Sequence, residues 1–79
     1  MKKWYMIDEV GTAESYDSYE TELKYVKTRA EAEAAIGVAW DSLSDYDQNR
    51  RHAFYAVFCE ADEDGVLDYD TVTEVITIK

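Results

Sequence analysis

The sequence predicts a two-layer α+β domain, an antiparallel sheet of three to four strands in β-β-α-β-β order with one face covered by a single main helix. Three observations carry that prediction. Two runs rich in aromatic and β-branched residues, Lys3 to Val10 and His52 to Glu60, read as strands. A capping box at Thr28 to Glu31 opens a helix with one apolar stripe, and the tail from Val72 to Ile78 is β-branched almost throughout. The 79 residues contain no proline, no low-complexity tract and no internal repeat, so residues 1–79 are expected to form a single small domain.

Taken in order, the first strand, Lys-Trp-Tyr-Met-Ile-Asp-Glu-Val, ends near Gly11, and Thr12 to Ser18 is a polar loop. Tyr19 to Lys27 then alternates. Thr21, Leu23 and Tyr25 fall on one side and Glu20, Glu22 and Lys24 on the other, the period of a half-buried strand, although Glu20 and Lys24 at i, i+4 also suit a helix. In Thr28-Arg29-Ala30-Glu31 the threonine hydroxyl can accept the amide of the third helical residue while Glu31 reaches back. Ala32, Ile36, Ala39, Trp40 and Leu43 then project within about 100° of one another and form the stripe that should lie on the sheet. Gly37 costs roughly 1 kcal/mol in mid-helix, which predicts a close approach by a neighbouring element. Ser44-Asp45-Tyr46-Asp47 starts a second, short helix with acids at its positive end and Arg50 and Arg51 at its negative end. His52 to Glu60 reads as a buried strand, and Asp62-Glu63-Asp64-Gly65 as a turn in which glycine supplies the positive φ.

Charge is the strongest functional signal. The chain carries 18 Asp and Glu against 8 Lys and Arg, a net −10, and two windows, Asp8 to Glu22 and Glu60 to Asp70, hold no Lys or Arg at all. Local pairs cannot neutralise them, so the expected partner is a basic protein surface. Nucleic acid and anionic lipid both need Lys and Arg to displace counterions, and direct binding to either is not expected. A compact chain of this length is about 30 Å across, and duplex DNA of that length carries roughly 18 phosphates. The protein's charge density therefore comes within about a factor of two of DNA's, which makes a DNA mimic, an inhibitor that fills the groove of a nucleic-acid-binding protein, one form the function can take. With 47% hydrophobic residues the chain still has the apolar area for a core, unlike a disordered acidic tail.

Several chemistries are poorly served. Cys59 is the single cysteine, so no intrachain disulfide exists; together with four apolar residues before the first carboxylate, too few for a secretory signal, this leads to an expected cytoplasmic location. No run approaches the roughly 18 apolar residues of a membrane span. Cys59 and His52 lie seven residues apart on one strand, more than about 20 Å, and alternation puts them on opposite faces, so no nucleophile–base dyad is expected. One Cys and one His fall short of a zinc site, three scattered glycines make no phosphate loop, and the paired acids lie in polar stretches without an opposed partner. No catalytic residues, no cofactor and no enzymatic activity are expected.

Glu60-Ala-Asp-Glu-Asp-Gly-Val-Leu-Asp-Tyr-Asp-Thr71 resembles a calcium-binding EF-hand loop, with Glu60, Asp62, Asp64, Val66 (through its carbonyl) and Asp68 at ligand positions and Gly65 at the sharp turn. It departs from the pattern at Thr71, where a bidentate Glu should close the shell, and in following a strand. A weak Ca²⁺-binding module is thus the alternative reading, and a self-associating structural protein a third.

The acids keep company with phenols: Asp45-Tyr46-Asp47 and Asp68-Tyr69-Asp70 interleave the two, as do Tyr16-Asp17 and Tyr19-Glu20. Tyrosine gives rigid contact area at low entropic cost, and flanking carboxylates steer a basic partner. The expected partner-binding residues are Asp62, Glu63, Asp64, Asp68, Tyr69 and Asp70 on one loop, with Asp45, Tyr46 and Asp47 as a second patch. The stretch Trp40 to Arg51, the aromatic pair Phe54-Tyr55 and Glu60 to Thr71 also look like small acidic proteins of Firmicute phages and mobile elements, over roughly the C-terminal half. Small acidic proteins of such elements include inhibitors of host defence nucleases, anti-CRISPR proteins among them; the resemblance carries over no family function, and this association adds modestly to the DNA-mimic reading.

Overall fold

Aromatic and branched residues at Lys3–Gly11 form β1, the strand around which the sheet is built in the computed structural model, which describes all 79 residues. β1 pairs antiparallel with β2 (Tyr16–Glu22) on one side and with β3 (Arg51–Ala61) on the other. β4 (Leu67–Asp68) and β5 (Glu74–Thr77) both pair antiparallel with the remaining edge of β3, at Glu60–Ala61 and Tyr55–Phe58 respectively. The architecture is α+β, with a five-stranded antiparallel sheet and one main helix, α1 (Arg29–Asp41).

α1 begins where the capping box places it. Thr28 Oγ1 accepts the Glu31 amide at 3.1 Å, and Glu31 Oε1 accepts the amides of Thr28 and Lys27, both at 3.0 Å. Ala32 and Ile36 are wholly buried against Trp4, Phe54 and Ala56, and Ala39, Trp40 and Leu43 complete the stripe. Each large apolar side chain closed off here is worth about 1.5–3 kcal/mol. Gly37 departs from expectation: a Cβ at this position would meet nothing within 4 Å, so no neighbour crowds the helix there. The short helix α2 (Asp45–Asn49) follows, with Ser44 Oγ accepting the Asp47 amide at 3.1 Å and Arg50 as its C-cap.

The face of the sheet away from α1 has its own apolar cluster: Tyr5, Ile7, Val57, Cys59 and Leu67, with Tyr55, Ala61 and Val72 packed on it. The sequence leads one to expect a single covered face. The chain between β3 and β5 instead turns back over the second face, delivering Leu67 from β4 and Val72 from beyond the 3₁₀ turn Tyr69–Thr71.

Two boundaries also move. β2 starts at Tyr16 and ends at Glu22, so the loop before it is shorter than expected, and Leu23 and Val26 leave the strand to pack on the α1 side of the core. Tyr25 takes a left-handed conformation (φ 67°) and is almost fully exposed, where alternation places it on the strand's apolar side. Near the start of β3, the register with β1 shifts between Glu9 and Val10, a bulge that leaves His52 beside Glu9 and stacked on Tyr16 with ring centroids 4.6 Å apart. Glu9 and Tyr16 belong to the same face as Cys59 by register, so the expected opposite-face placement of His52 and Cys59 does not hold. Their separation along the strand does.

Candidate functional site

The acidic turn is organised by its own first residue. Asp62 Oδ1 accepts the amides of Asp64 and Val66, both at 2.9 Å, while Gly65 closes the turn at φ 83°. A second polar corner follows. Asp68 Oδ1 accepts the Asp70 amide at 3.1 Å, and Thr71 Oγ1 donates to the Asp68 carbonyl at 2.6 Å while accepting the Glu60 amide at 2.8 Å. Asp62 and Asp68 therefore shape the backbone, whereas the carboxylates of Glu63, Asp64 and Asp70 are exposed and make no hydrogen bond within the fold.

This excursion carries Tyr69 across the sheet to β2, where its hydroxyl donates to Glu20 Oε2 at 2.6 Å. The contact joins the two windows that lack Lys and Arg. Beside it, a concavity of about 500 Å³ is lined by Glu20 and Glu22 from β2 and by Asp62 and Glu63 from the turn, with Tyr5 and Leu67 beneath and Lys3 at its margin. Partial burial, and then the hydrogen bond to Glu20, push the Tyr69 phenol well above the ordinary tyrosine range. Burial, followed by the charge of nearby Glu9, raises Tyr55 on the same face. These phenols stay neutral donors among carboxylates.

Some acids of the two windows find distant cations. Arg51 grips Asp8 with two bonds of 3.0 and 3.2 Å in a largely buried pair, Lys3 lies 3.8 Å from Glu22, and Glu60 takes the Met1 amino group at 3.2 Å. Glu14, Asp17, Glu20, Asp62, Glu63, Asp64, Asp68 and Asp70 have no cation within 4.0 Å. The uncompensated charge thus lies in β2, the turn before it and the excursion after β3.

Of the residues expected to bind a partner, Asp62, Glu63, Asp64, Asp68, Tyr69 and Asp70 lie in one continuous segment that meets β2. Asp45, Tyr46 and Asp47 do not join them. α2 precedes the start of β3 and the acidic turn follows its end, so the 11 residues of β3, about 36 Å of strand, lie between the two patches. Tyr46 there sits under the Arg50 guanidinium, 5.5 Å from ring centroid to Cζ, and the Asp47 carbonyl accepts from Arg51 at 3.0 Å. Glu20 and Glu22 line the concavity but are not among the partner-binding residues that the sequence points to. Their signal was present, as members of a window without cations whose strand alternation puts both on one face.

A metal fits this arrangement poorly. In the EF-hand-like loop Asp62 and Asp68 spend an oxygen on backbone amides and Glu60 on the Met1 amino group, and no three His, Cys, Asp or Glu side chains converge to hold an ion. Cys59 is wholly buried, and that burial pushes its thiol up, away from the reactive thiolate. No helix is long and apolar enough to cross a membrane. Comparison with protein-family models, with curated proteins and with solved structures finds no match to this chain.

Proposed function

We propose that this protein is a non-catalytic cytoplasmic binding protein that engages a basic surface of a macromolecular partner. The observation that carries the proposal is the bond from Tyr69 to Glu20, which joins two cation-free segments, distant in sequence, into one acidic surface. Neutral phenols set among carboxylates supply contact area and hydrogen-bond donors, while the net charge of −10 steers a basic partner and disfavours acidic ones. The partner class we favour is a nucleic-acid-binding protein whose groove the acidic surface fills. Duplex DNA as long as the molecule's 36 Å axis carries roughly 21 phosphates, about twice the protein's net charge.

The test reverses charges that do not hold the fold together. Glu63→Lys, Asp64→Lys and Asp70→Lys together should abolish capture of the basic partner from extracts of the source cell, read by mass spectrometry. Asp41→Lys, Asp45→Lys and Asp47→Lys, the same change in net charge at the other end of β3, should leave capture intact, with both triples first shown to be folded by circular dichroism because Asp45 and Asp47 stand in the first turn of α2. Equal loss in both triples, or in neither, rules out a localised acidic site.

A further inference from the structure

β2 is an edge strand, and the fold leaves that edge open. All seven of its residues are exposed, and β1 is its one neighbour. The Leu23 amide donates to the Trp4 carbonyl at 2.9 Å, and the unbroken register from there sets the alternation along the ladder: odd-numbered residues bond β1, and the N–H and C=O groups of Tyr16, Ser18, Glu20 and Glu22 point outward. These residues are exposed, and none of the loop or side-chain hydrogen bonds of the fold uses these groups. The other free edge is treated differently. β5 has four residues, and the Arg29 guanidinium donates to the Val75 carbonyl at 3.2 Å and pairs with Glu74 at 3.4 Å. Proteins ordinarily blunt an exposed edge by shortening or covering it, or with Pro or charged side chains; β2 is neither short nor covered and has no Pro, and its only charges are the acids Asp17, Glu20 and Glu22, which guard it against acidic strands but not basic ones.

We infer that β2 is a docking edge for an extended basic segment, which joins the sheet as an added strand with Lys or Arg at alternate positions. This rests on the basic partner proposed above and specifies how that partner is held. The outward backbone groups of Glu20 and Glu22 belong to residues whose side chains share one face, so cations at positions i and i+2 of the added strand stand opposite both carboxylates. A second copy of this chain is the poorer occupant, because it brings a strand with Asp17, Glu20 and Glu22 and a further −10 to the seam. The carboxylates thus repel self-pairing and select a basic strand.

The probe is a synthetic peptide alternating Lys and Val, titrated into the full chain at low salt and followed by amide NMR, beside a peptide of identical charge N-methylated at its alternate bonding amides. The unmethylated peptide should shift and protect the Ser18, Glu20 and Glu22 amides, and the methylated one should bind at least about tenfold more weakly, the loss expected when several backbone hydrogen bonds are removed. Ser18→Pro, which removes an outward amide that β1 does not use, should weaken the first peptide to the level of the second. Equal affinity for the two peptides, or shifts confined to residues 62–70, overturns strand addition and leaves the acidic-surface proposal standing, since that is judged by the capture experiment. A dimer of the protein alone that Ser18→Pro dissociates also overturns it, by identifying the occupant as a second copy. If Ser18→Pro fails to fold, the comparison of the two peptides decides alone.

Discussion

Gly37 stands in the middle of α1 with open space where a Cβ would go, so packing does not require glycine there. The backbone is helical and the residue loses more conformational freedom on folding than alanine would. Gly37→Ala should therefore stabilise the protein by about 0.5–1 kcal/mol, raising the melting temperature by about 4–8 °C per kcal/mol for a domain of this size. An unchanged or lower melting temperature would show that the helix needs glycine for a reason outside its packing. Gly11 is the contrasting case, since at φ 132° its added Cβ would run into the Ser15 carbonyl oxygen. Tyr69 carries a different consequence. Its raised phenol means that, as pH climbs above about 10, the unfolded chain gives up a proton that the folded chain keeps, so stability falls over that interval. Ultraviolet difference titration of the folded protein should show late-ionising phenols, Tyr5, Tyr55 and Tyr69 among them, and Tyr69→Phe should remove one. Seven tyrosines titrating together near their ordinary value would contradict the contact with Glu20.

At the scale of elements, the helices were the most legible parts of the sequence because their start signals are local. Thr28 and Ser44 each cap the helix that the sequence assigns them. The amides of Lys27 and then Thr28 hold the Glu31 carboxyl below the usual carboxylate range. A lowered folded value means that this contribution is complete above the unfolded value and is lost as pH falls through the folded one. Thr28→Ala should cost about 1 kcal/mol, seen as a lower melting temperature. Glu31→Gln keeps an acceptor for the capping box but cannot titrate, so its stability should decline less than the native chain's between neutral and acid pH. Parallel declines would mean that the box adds no pH dependence. The strands were less legible wherever tertiary contacts overrode alternation. β2 lies earlier than its pattern because Leu23 and Val26 are drawn into the core beneath α1. The bulge at the start of β3 is a matter of register between strands over 40 residues apart, which periodicity does not carry. β4 is too short to show a pattern at all, and its position follows from Leu67 closing a second cluster.

For the molecule as a whole, the acidic segments could be read from the sequence but their meeting could not. It depends on the path of the chain after β3, which the two-residue pairing at Glu60–Ala61 and the burial of Leu67 direct back toward β2. The same path leaves the Asp45 to Asp47 patch at the other end of the sheet. Concentrating uncompensated carboxylates in this way has a measurable cost, since like charges on β2 and the turn repel across a molecule with a radius of gyration of 12.5 Å. Raising ionic strength from about 0.01 M to about 0.15 M shortens the Debye length from about 30 Å to about 8 Å, from reaching across the whole molecule to reaching only near neighbours. Salt also weakens the favourable pairs, but the exposed ones, such as Lys3 with Glu22 and Arg29 with Glu33, contribute about 0–1 kcal/mol each, and the largely buried Arg51–Asp8 pair is screened least. Relief of repulsion should win, so sodium chloride should raise the melting temperature over this range. The gain should shrink in the triple variant Glu63→Lys, Asp64→Lys, Asp70→Lys, because that variant relieves the same repulsion without salt. A melting temperature that falls with salt would mean that the favourable pairs outweigh the repulsion, and a gain the triple variant leaves untouched would place the dominant repulsion away from the surface formed by β2 and the acidic turn.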